Sequence, residues 1–275
     1  MTIPPELAAA LEERAGRLRG FASQLAYFET AGSTNDLAAS MAQGGAPHGT
    51  VVAAAGQSQG RGRMGRSWFS PPGSGLYVSL VLRPEFLSPR SAASAPDTLA
   101  LASSITLTAG VALAEGVRSA TGLKAEIKWP NDLVVDQRKF CGILAEGSAT
   151  ADAIDYVILG FGINVRTAEF PPELLSTATS LEIELGRWVD EHALLAECLA
   201  RLAERLRSLP LGGFDAILER LREMSPSSLN ARVEVRSPGG GWSKARTAGI
   251  DRDGALLAWV DGNVQRFIAG EVRWS

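Results

Sequence analysis

The chain has 275 residues, of which 45% are hydrophobic, so it can bury a sizeable core in one large domain and a small one. Its formal net charge is −3 at pH 7, whereas a dedicated nucleic-acid binder is usually basic as a whole. Cys141 and Cys198 form no Cys-x-x-Cys pair and the two histidines are isolated, which argues against a disulfide scaffold and a zinc site. The N-terminus lacks a secretory signal pattern and no apolar run reaches the roughly 18 residues that span a bilayer, so we expect a cytoplasmic protein.

The periodicity of apolar residues predicts an α+β order of elements. An amphipathic helix is expected over about 5–19, between Pro4-Pro5 and Gly20. The elements expected next are a strand over 25–29, a helix over 33–43, strands over 50–55 and 76–82, a long apolar helix over 96–120, strands over 125–129, 132–135, 139–146 and 156–165, and helices over 191–209 and 214–224. The hairpin spacing favours a mixed or antiparallel sheet over the βαβ alternation of a doubly wound fold.

The last part of the chain has a different pattern. After 225–228 come four short segments with strand character, separated by Gly-Gly-Gly and Asp-Gly turns: 232–235, 245–250, 255–260 and 264–268. Short strands at this spacing predict a small β-barrel module.

The segment from Gln57 to Trp68 carries the strongest local signal. It holds three arginines and three glycines between Gly60 and Arg66, inside a span, 37–84, that contains no Asp or Glu. Glycine lets the backbone turn its N–H groups toward a ligand, and arginine supplies forked donors that match carboxylate and phosphate oxygens. The segment therefore predicts an anion-binding loop.

This loop matches two nucleotide-binding fingerprints in sequence, but the segment that follows it fits neither. Gly60-x-Gly62-x-x-Gly65 resembles a dinucleotide fingerprint, and the run from Gly60 to Ser67 imitates a P-loop. Both fingerprints need a helix directly afterwards, which the prolines and glycines over 71–75 forbid. A solvated basic hairpin loop and an RGG-like nucleic-acid contact remain as alternatives.

A second cluster lies at Lys128-Trp-Pro-Asn-Asp132, with Lys139 after a hairpin turn. Ammonium groups for phosphates, a carboxylate for Mg²⁺ and an amide for a base or ribose are the groups that a nucleotide site needs. The alternative is a set of ordinary surface hairpin residues. Ser33 and Thr34 are likewise open to two interpretations, helix capping or ligand contact.

Five motifs in order resemble the signature set of biotin protein ligases, over the chain from about Leu25 onward. They are Ser33-Thr-Asn35, Gln57-x-x-Gly-Arg-Gly-Arg-x-Gly-Arg-x-Trp68, Lys128-Trp-Pro-Asn-Asp132, Arg138-Lys-x-x-Gly-Ile-Leu-x-Glu146 and Gly160-x-Gly-Ile-Asn164. The resemblance implies a mixed-sheet catalytic domain over 1–226, related to class II aminoacyl-tRNA synthetases, and an SH3-like β-barrel over 227–275.

The resemblance also implies a two-step reaction. The biotin carboxylate attacks the α-phosphate of MgATP to give biotinyl-5′-AMP, and a lysine of a biotin carboxyl carrier domain then attacks the activated carbonyl. ATP, Mg²⁺ and biotin are expected, with no tightly bound prosthetic group, no DNA and no membrane, and homodimerisation is left open. About 24 residues precede Leu25, where the resemblance begins, and we expect them to have room for a single helix and not for a DNA-binding domain.

The resemblance also implies which residues form the site, by their matching positions in the motifs. The biotin site is implied at Ser33, Thr34, Asn35, Gln57, Arg61, Gly62, Arg63, Lys139 and Gly142. The ATP site is implied at Arg63, Arg66, Trp68, Lys128, Asn131, Asp132 and Asn164. Lys139, Arg63 and Asp132 are the implied catalytic residues, and Asp132 is the implied Mg²⁺ ligand.

Two other functions compete with this one. A lipoate-type protein ligase has a related fold and also adenylates a carboxylate, although the arginine loop and the Lys128 motif favour biotin. A biotin-binding regulatory protein would need no catalytic set, so the presence of Lys128, Asp132 and Lys139 argues against it.

Overall fold

The computed structural model of the chain describes residues 2–83, 98–149, 154–166, 170–237 and 240–274. Its main element is a seven-stranded sheet with the order β1-β2-β3-β7-β6-β5-β4. The strands are β1 (Leu25–Phe28), β2 (Val51–Ala54), β3 (Gly75–Leu82), β4 (Glu126–Lys128), β5 (Asp132–Val135), β6 (Arg138–Ala149) and β7 (Ile154–Asn164). β1 and β2 pair in parallel and the other neighbours are antiparallel, which confirms the predicted mixed sheet.

Helices cover both faces of this sheet. They are α1 (Pro5–Glu12), α2 (Ala15–Leu18), α3 (Thr34–Gln43), α4 (Thr98–Thr121), α5 (Leu181–Leu185), α6 (Glu191–Leu206) and α7 (Phe214–Met224). Because side chains alternate along a strand, Leu80 of β3 joins the core under α4 and α6 while Val81 packs with Ala38 of α3 on the opposite face. The sheet therefore has a thick core on one face and a thin one on the other.

α4 is the central core helix. Of the described helices it is the one long and apolar enough to cross a membrane by length and composition, and its most apolar 18-residue window has a mean hydropathy of 1.4 and is 72% buried. It packs against α6, β6 and α7. Its composition thus follows from its place in the core, and the start predicted near Pro96 lies outside the described residues.

The C-terminal strands form a separate five-stranded antiparallel sheet with the order β11-β10-β9-β8-β12. They are β8 (Leu229–Arg236), β9 (Ser243–Ile250), β10 (Leu256–Val260), β11 (Asn263–Phe267) and β12 (Glu271–Trp274). The sequence pattern predicts four of these and misses β12, because four residues with two charges give too little periodicity. The SH3-like closure and the 226/227 domain boundary stay predictions.

The C-terminal sheet packs directly on the main core. The indole N–H of Trp129 donates to the carbonyl of Gly254, in the β9–β10 turn, at 3.0 Å. A Cβ at Gly254 would lie 2.4 Å from Leu107 of α4, so only glycine fits this contact, where φ is +85°. The two sheets therefore present a joint surface near the β4–β5 turn.

The prediction of a single N-terminal helix over 5–19 is wrong. The chain breaks at Arg14, where φ is −110° and ψ is 8°, and α1 and α2 are separate. The break lets Arg14 and Arg17 both reach Glu197 of α6, at 3.2 and 2.7 Å. α5 is also missing from the predicted elements, since five residues are too few for a helical period.

Candidate active site

A floor of glycines lies at the centre of the main sheet. Gly142 of β6 faces Gly162 of β7, and Gly160 lies two residues away on β7. A Cβ at Gly162 would lie 2.4 Å from Nε1 of Trp68, and one at Gly160 would lie 2.1 Å from Oδ1 of Asn35. The missing side chains therefore make room for Trp68 and Asn35 to approach the sheet backbone closely.

A cleft of about 460 Å³ opens above this floor. All nine residues predicted for the biotin site line it. They come from the α3 N-terminus, the arginine loop and β6, so the fold brings together motifs that are far apart in sequence.

Polar groups at one end of the cleft are already fixed by hydrogen bonds. Oε1 of Gln57 accepts from the backbone N and the Oγ1 of Thr34 at 2.9 and 3.1 Å. The buried Ser79 hydroxyl lies 2.8 Å from Oγ1 of Thr34 and 2.6 Å from Oδ1 of Asn35. Ser33 is the N-cap residue of α3 but its side chain makes no capping bond, so capping does not account for it.

Two residues that the sequence predictions omit belong to this network. Ser79 places a hydroxyl in an otherwise apolar strand, and this break in the apolar pattern is the sequence feature that could have indicated a site residue. Glu146 ends the fourth motif, and its Oε2 accepts from Nδ2 of Asn35 at 2.6 Å and from Nη2 of Arg61 at 2.9 Å. Glu146 therefore links the polar end of the cleft to the arginine loop.

The three arginines of the loop contact three different parts of the structure. Nη2 of Arg61 also lies 2.7 Å from Oδ1 of Asp36 in α3. Nη1 of Arg63 donates to Oδ1 of Asn131 at 3.0 Å, and Nη2 of Arg66 lies 2.7 Å from Oε2 of Glu271 in β12. The loop is thus closed over the glycine floor, and burial lowers the pKa of Arg63.

The β5–β6 hairpin brings Lys139 back to Asp132, as its spacing predicts. Nζ of Lys139 lies 2.6 Å from Oδ1 of Asp132 and 5.0 Å from the ring centroid of Trp68. Lys128 lies nearby with Nζ 5.8 Å from the Trp274 ring, and its burial lowers the pKa of this ammonium. The two lysines and one carboxylate form a compact cationic centre.

A second pocket, of about 870 Å³, meets the cleft at this centre. It is lined by six of the seven residues predicted for the ATP site, Arg63, Arg66, Trp68, Lys128, Asn131 and Asp132. Asn164 is not among them: it lines a third, adjoining pocket, where its Nδ2 donates to the carbonyl of Thr179 at 3.0 Å. Trp68 and Lys139 line all three cavities.

The C-terminal sheet contributes residues to these pockets, and the sequence predictions did not include them. Glu271, Arg273 and Trp242 line the second pocket, and Arg273 with Trp274 lines the third. No motif marked them, because they lie more than a hundred residues after the Lys128 motif. Both sheets therefore contribute to the second and third pockets.

The described residues contain no cluster of three or more His, Cys, Asp or Glu side chains that could hold a metal ion. Asp132 is a single carboxylate beside Lys128 and Lys139. One carboxylate suits Mg²⁺ that arrives bound to phosphates, since Mg²⁺ keeps much of its water and needs few protein ligands.

Comparison with known proteins agrees with this geometry. A family model described as the biotin/lipoate A/B protein ligase family matches residues 27–164. The chain is 34% identical over 284 residues to the biotin–[acetyl-CoA-carboxylase] ligase of Mycobacterium tuberculosis, covering 99% of this chain and 98% of that protein. It is 33% identical over 250 residues to the bifunctional ligase/repressor BirA of Bacillus subtilis, covering 90% of this chain and 73% of that protein.

A solved structure is similar over nearly the same extent. The biotin protein ligase from Aquifex aeolicus in complex with biotin and ATP superposes with a TM-score of 0.77 at 25% identity, covering 92% of this chain and all of that one. The chain therefore belongs to the biotin/lipoate A/B protein ligase family, and within that family to the biotin protein ligases.

Proposed function

We propose that this chain is an ATP-dependent biotin–[acetyl-CoA-carboxylase] ligase that acts in the cytoplasm. The observation that carries the proposal is the meeting of two cavities at one cationic centre. The cleft over the glycine floor and the pocket lined by Lys128 and Asp132 share Arg63 and Lys139. A ligase that joins a carboxylate to a nucleotide needs its two substrates to meet in this way.

The cleft suits biotin. The ureido head of biotin would contact the polar end at Ser33, Thr34 and Gln57, where hydroxyl and amide groups are held by hydrogen bonds. Gly142 leaves room beside Trp68 and Lys139, because a Cβ there would lie 2.8 Å from the Trp68 ring and 3.0 Å from Nζ of Lys139. The carboxylate end of biotin would then lie at Lys139.

The first step is the attack of a biotin carboxylate oxygen on the α-phosphorus of ATP, with pyrophosphate as the leaving group. Two anions repel each other, so the site must supply positive charge where charge moves in the transition state. Lys139 would hold the carboxylate and the α-phosphate together, and Arg63 would stabilise the same phosphate. Asp132 holds the Lys139 ammonium in place at 2.6 Å.

The remaining nucleotide contacts fall on residues of the second and third pockets. Lys128 and Arg66 would bind the phosphates, Trp68 would stack on adenine, and Asn131 and Asn164 would bind polar edges of the nucleoside. Mg²⁺ bound at Asp132 would shield the phosphate charges. The loop over 57–68 would keep water from the adenylate.

In the second step the amine of a lysine on a biotin carboxyl carrier domain attacks the carbonyl of biotinyl-5′-AMP and AMP leaves. The proposal includes a catalytic part over 1–226, related to class II aminoacyl-tRNA synthetases, and an SH3-like part over 227–275. The chain would carry out both steps without binding DNA.

Transfer of biotin to a purified carrier domain tests this function. We expect labelled biotin on the carrier lysine with ATP and Mg²⁺, and none when ATP is left out. The same assay with lipoate in place of biotin tests the related ligase chemistry. Modification of a lipoyl domain, without modification of the biotin carrier, would support the lipoate-type alternative. Tight biotin binding without any transfer would support a regulatory biotin-binding protein.

A further inference from the structure

A fourth cavity, of about 530 Å³, borders the two substrate cavities on the side of α4. Of the described residues, Arg63 is the one that lines this cavity, the cleft and the second pocket together. The fourth cavity also shares Ile143 and Leu144 with the cleft, and Trp129 and Pro130 with the second pocket. It therefore reaches the place where the cleft and the second pocket meet.

The walls of the fourth cavity are mainly apolar. Ala102 and Leu107 of α4 line it, as do Ile143 of β6 and the turn residues Ile268 and Ala269 between β11 and β12. Among its described lining residues, Arg63 is the only charged one. Its other polar side chains are Ser103 and Thr106 of α4, and the Thr106 hydroxyl donates to the carbonyl of Ala102 at 2.7 Å. The lining therefore offers a triphosphate little positive charge, and it is less polar than the end of the cleft at Thr34.

We propose that this cavity, which we call the α4 channel, receives the aliphatic side chain of the acceptor lysine in the second step. The inference rests on the proposed ligase function. A lysine offers a flexible four-carbon stem that an apolar wall can bury while its terminal nitrogen reaches the reactive centre. The channel ends at Arg63, beside the position proposed for the mixed anhydride.

The lining also suits the chemistry of the attack. The lysine must lose its ammonium proton before its nitrogen can act as a nucleophile, and apolar walls with a fixed positive charge at the inner end favour the neutral amine. The amine nitrogen then bonds to the carbonyl carbon, the bond from that carbon to the phosphate oxygen breaks, AMP leaves with the electron pair, and the second amine proton goes to solvent.

The test fills the channel without touching the substrate cavities. Ala102→Phe and, from the opposite wall, Ala269→Phe each place a ring inside it, and Ala100→Phe makes the same change on the same helix at an exposed position outside it. Three reactions are measured for each full-length variant: biotin-dependent ATP–pyrophosphate exchange, transfer from preformed biotinyl-5′-AMP to the carrier domain, and cleavage of that adenylate by n-pentylamine or by hydroxylamine.

We expect both channel variants to keep exchange within about twofold and to lose at least about tenfold in transfer and in cleavage by n-pentylamine, because misplacing a reacting group is costly. Cleavage by the smaller hydroxylamine should fall less, and Ala100→Phe should behave as the unaltered chain.

Transfer at the unaltered rate in both channel variants would overturn the inference. Loss of carrier transfer with normal n-pentylamine cleavage would also overturn it, because the cavity would then serve carrier docking. Loss of exchange would overturn it as well, because the cavity would then belong to the first step. Absence of exchange in the unaltered chain would instead contradict the ligase function itself.

Discussion

Nζ of Lys139 lies 2.6 Å from Oδ1 of Asp132, across the hairpin that joins β5 and β6. This contact fixes the only lysine that lines both the cleft and the second pocket, as far as the described residues extend. It makes Lys139 the residue on which the proposed first step depends most.

Replacing Lys139 by alanine should therefore abolish most adenylate formation. We expect biotin-dependent ATP–pyrophosphate exchange to fall by about 100-fold or more, the scale found when a single charge-stabilising donor is removed from an active site. The fold should persist, since the Lys139 side chain is about one-third exposed and contributes no core packing. The exposed Lys124→Ala is the matched control, and unchanged exchange in Lys139→Ala would remove this residue from the mechanism.

The Arg63 side chain should matter most after the adenylate has formed. Arg63→Ala removes the contact with Asn131 that holds the loop closed, so biotinyl-5′-AMP should dissociate about tenfold faster, as expected when a charged hydrogen bond of about 1.5 kcal/mol or more is lost. Release of labelled adenylate after dilution measures this rate. Arg252, whose side chain is 92% exposed, provides the control substitution, and equal release rates in the two variants would contradict the role of Arg63.

The glycine floor leaves no room for a larger side chain beneath Trp68. In Gly162→Ala the new methyl group would lie 2.4 Å from Nε1 of Trp68, so the indole must move and the adenine-stacking surface with it. A cost of about 1–2 kcal/mol, typical of overpacking, corresponds to a KM for ATP raised about tenfold. Gly241→Ala, where no atom lies within 4 Å of the added group, should leave KM unchanged. Equal KM values in both variants would show that Trp68 does not depend on the floor.

The ion pairs that the N-terminal helices make with Glu197 should make the free energy of unfolding depend on pH in the acid range. Burial alone raises the pKa of Glu197, but hydrogen bonds from Arg17 and Arg14 lower it from 4.5 to about 2. Because the pKa in the folded state is depressed, the carboxylate stabilises the fold fully above its unfolded value of about 4.5, and this contribution is lost as pH falls toward about 2.

Glu197→Gln should accordingly lower the free energy of unfolding by about 3 kcal/mol at pH 7, and by much less near pH 2.5. Urea unfolding at both pH values measures the two differences, with the exposed Glu219→Gln as control. A difference that stays constant between the two pH values would show that the ion pairs do not cause the pKa shift.

Local spacing explains which parts of the site could be predicted from sequence. The turn between Asp132 and Lys139 is short, so the hairpin alone brings the two side chains together. The helices and strands with clear periodicity, such as α7 and β5, begin and end where the pattern predicts. The order of elements was sufficient to predict a mixed sheet.

Long-range contacts explain what the sequence did not reveal. Glu271 meets Arg66 only because β12 returns to pair with β8, and nothing near either residue indicates the other. The break at Arg14 likewise brings this residue to Glu197, far along the chain, a contact that no local pattern indicates. Asn164 lies at the end of β7 and lines the adjoining pocket, and the order of the motifs does not indicate which pocket a residue lines.

Biotin-dependent exchange of labelled pyrophosphate into ATP tests the central claim most directly, because it reports the adenylate step without any carrier. We expect exchange that requires both biotin and Mg²⁺, that is not supported by lipoate, and that is lost in Lys139→Ala. Exchange driven by lipoate in place of biotin, or no exchange at all in a folded chain that binds ATP, would contradict this claim.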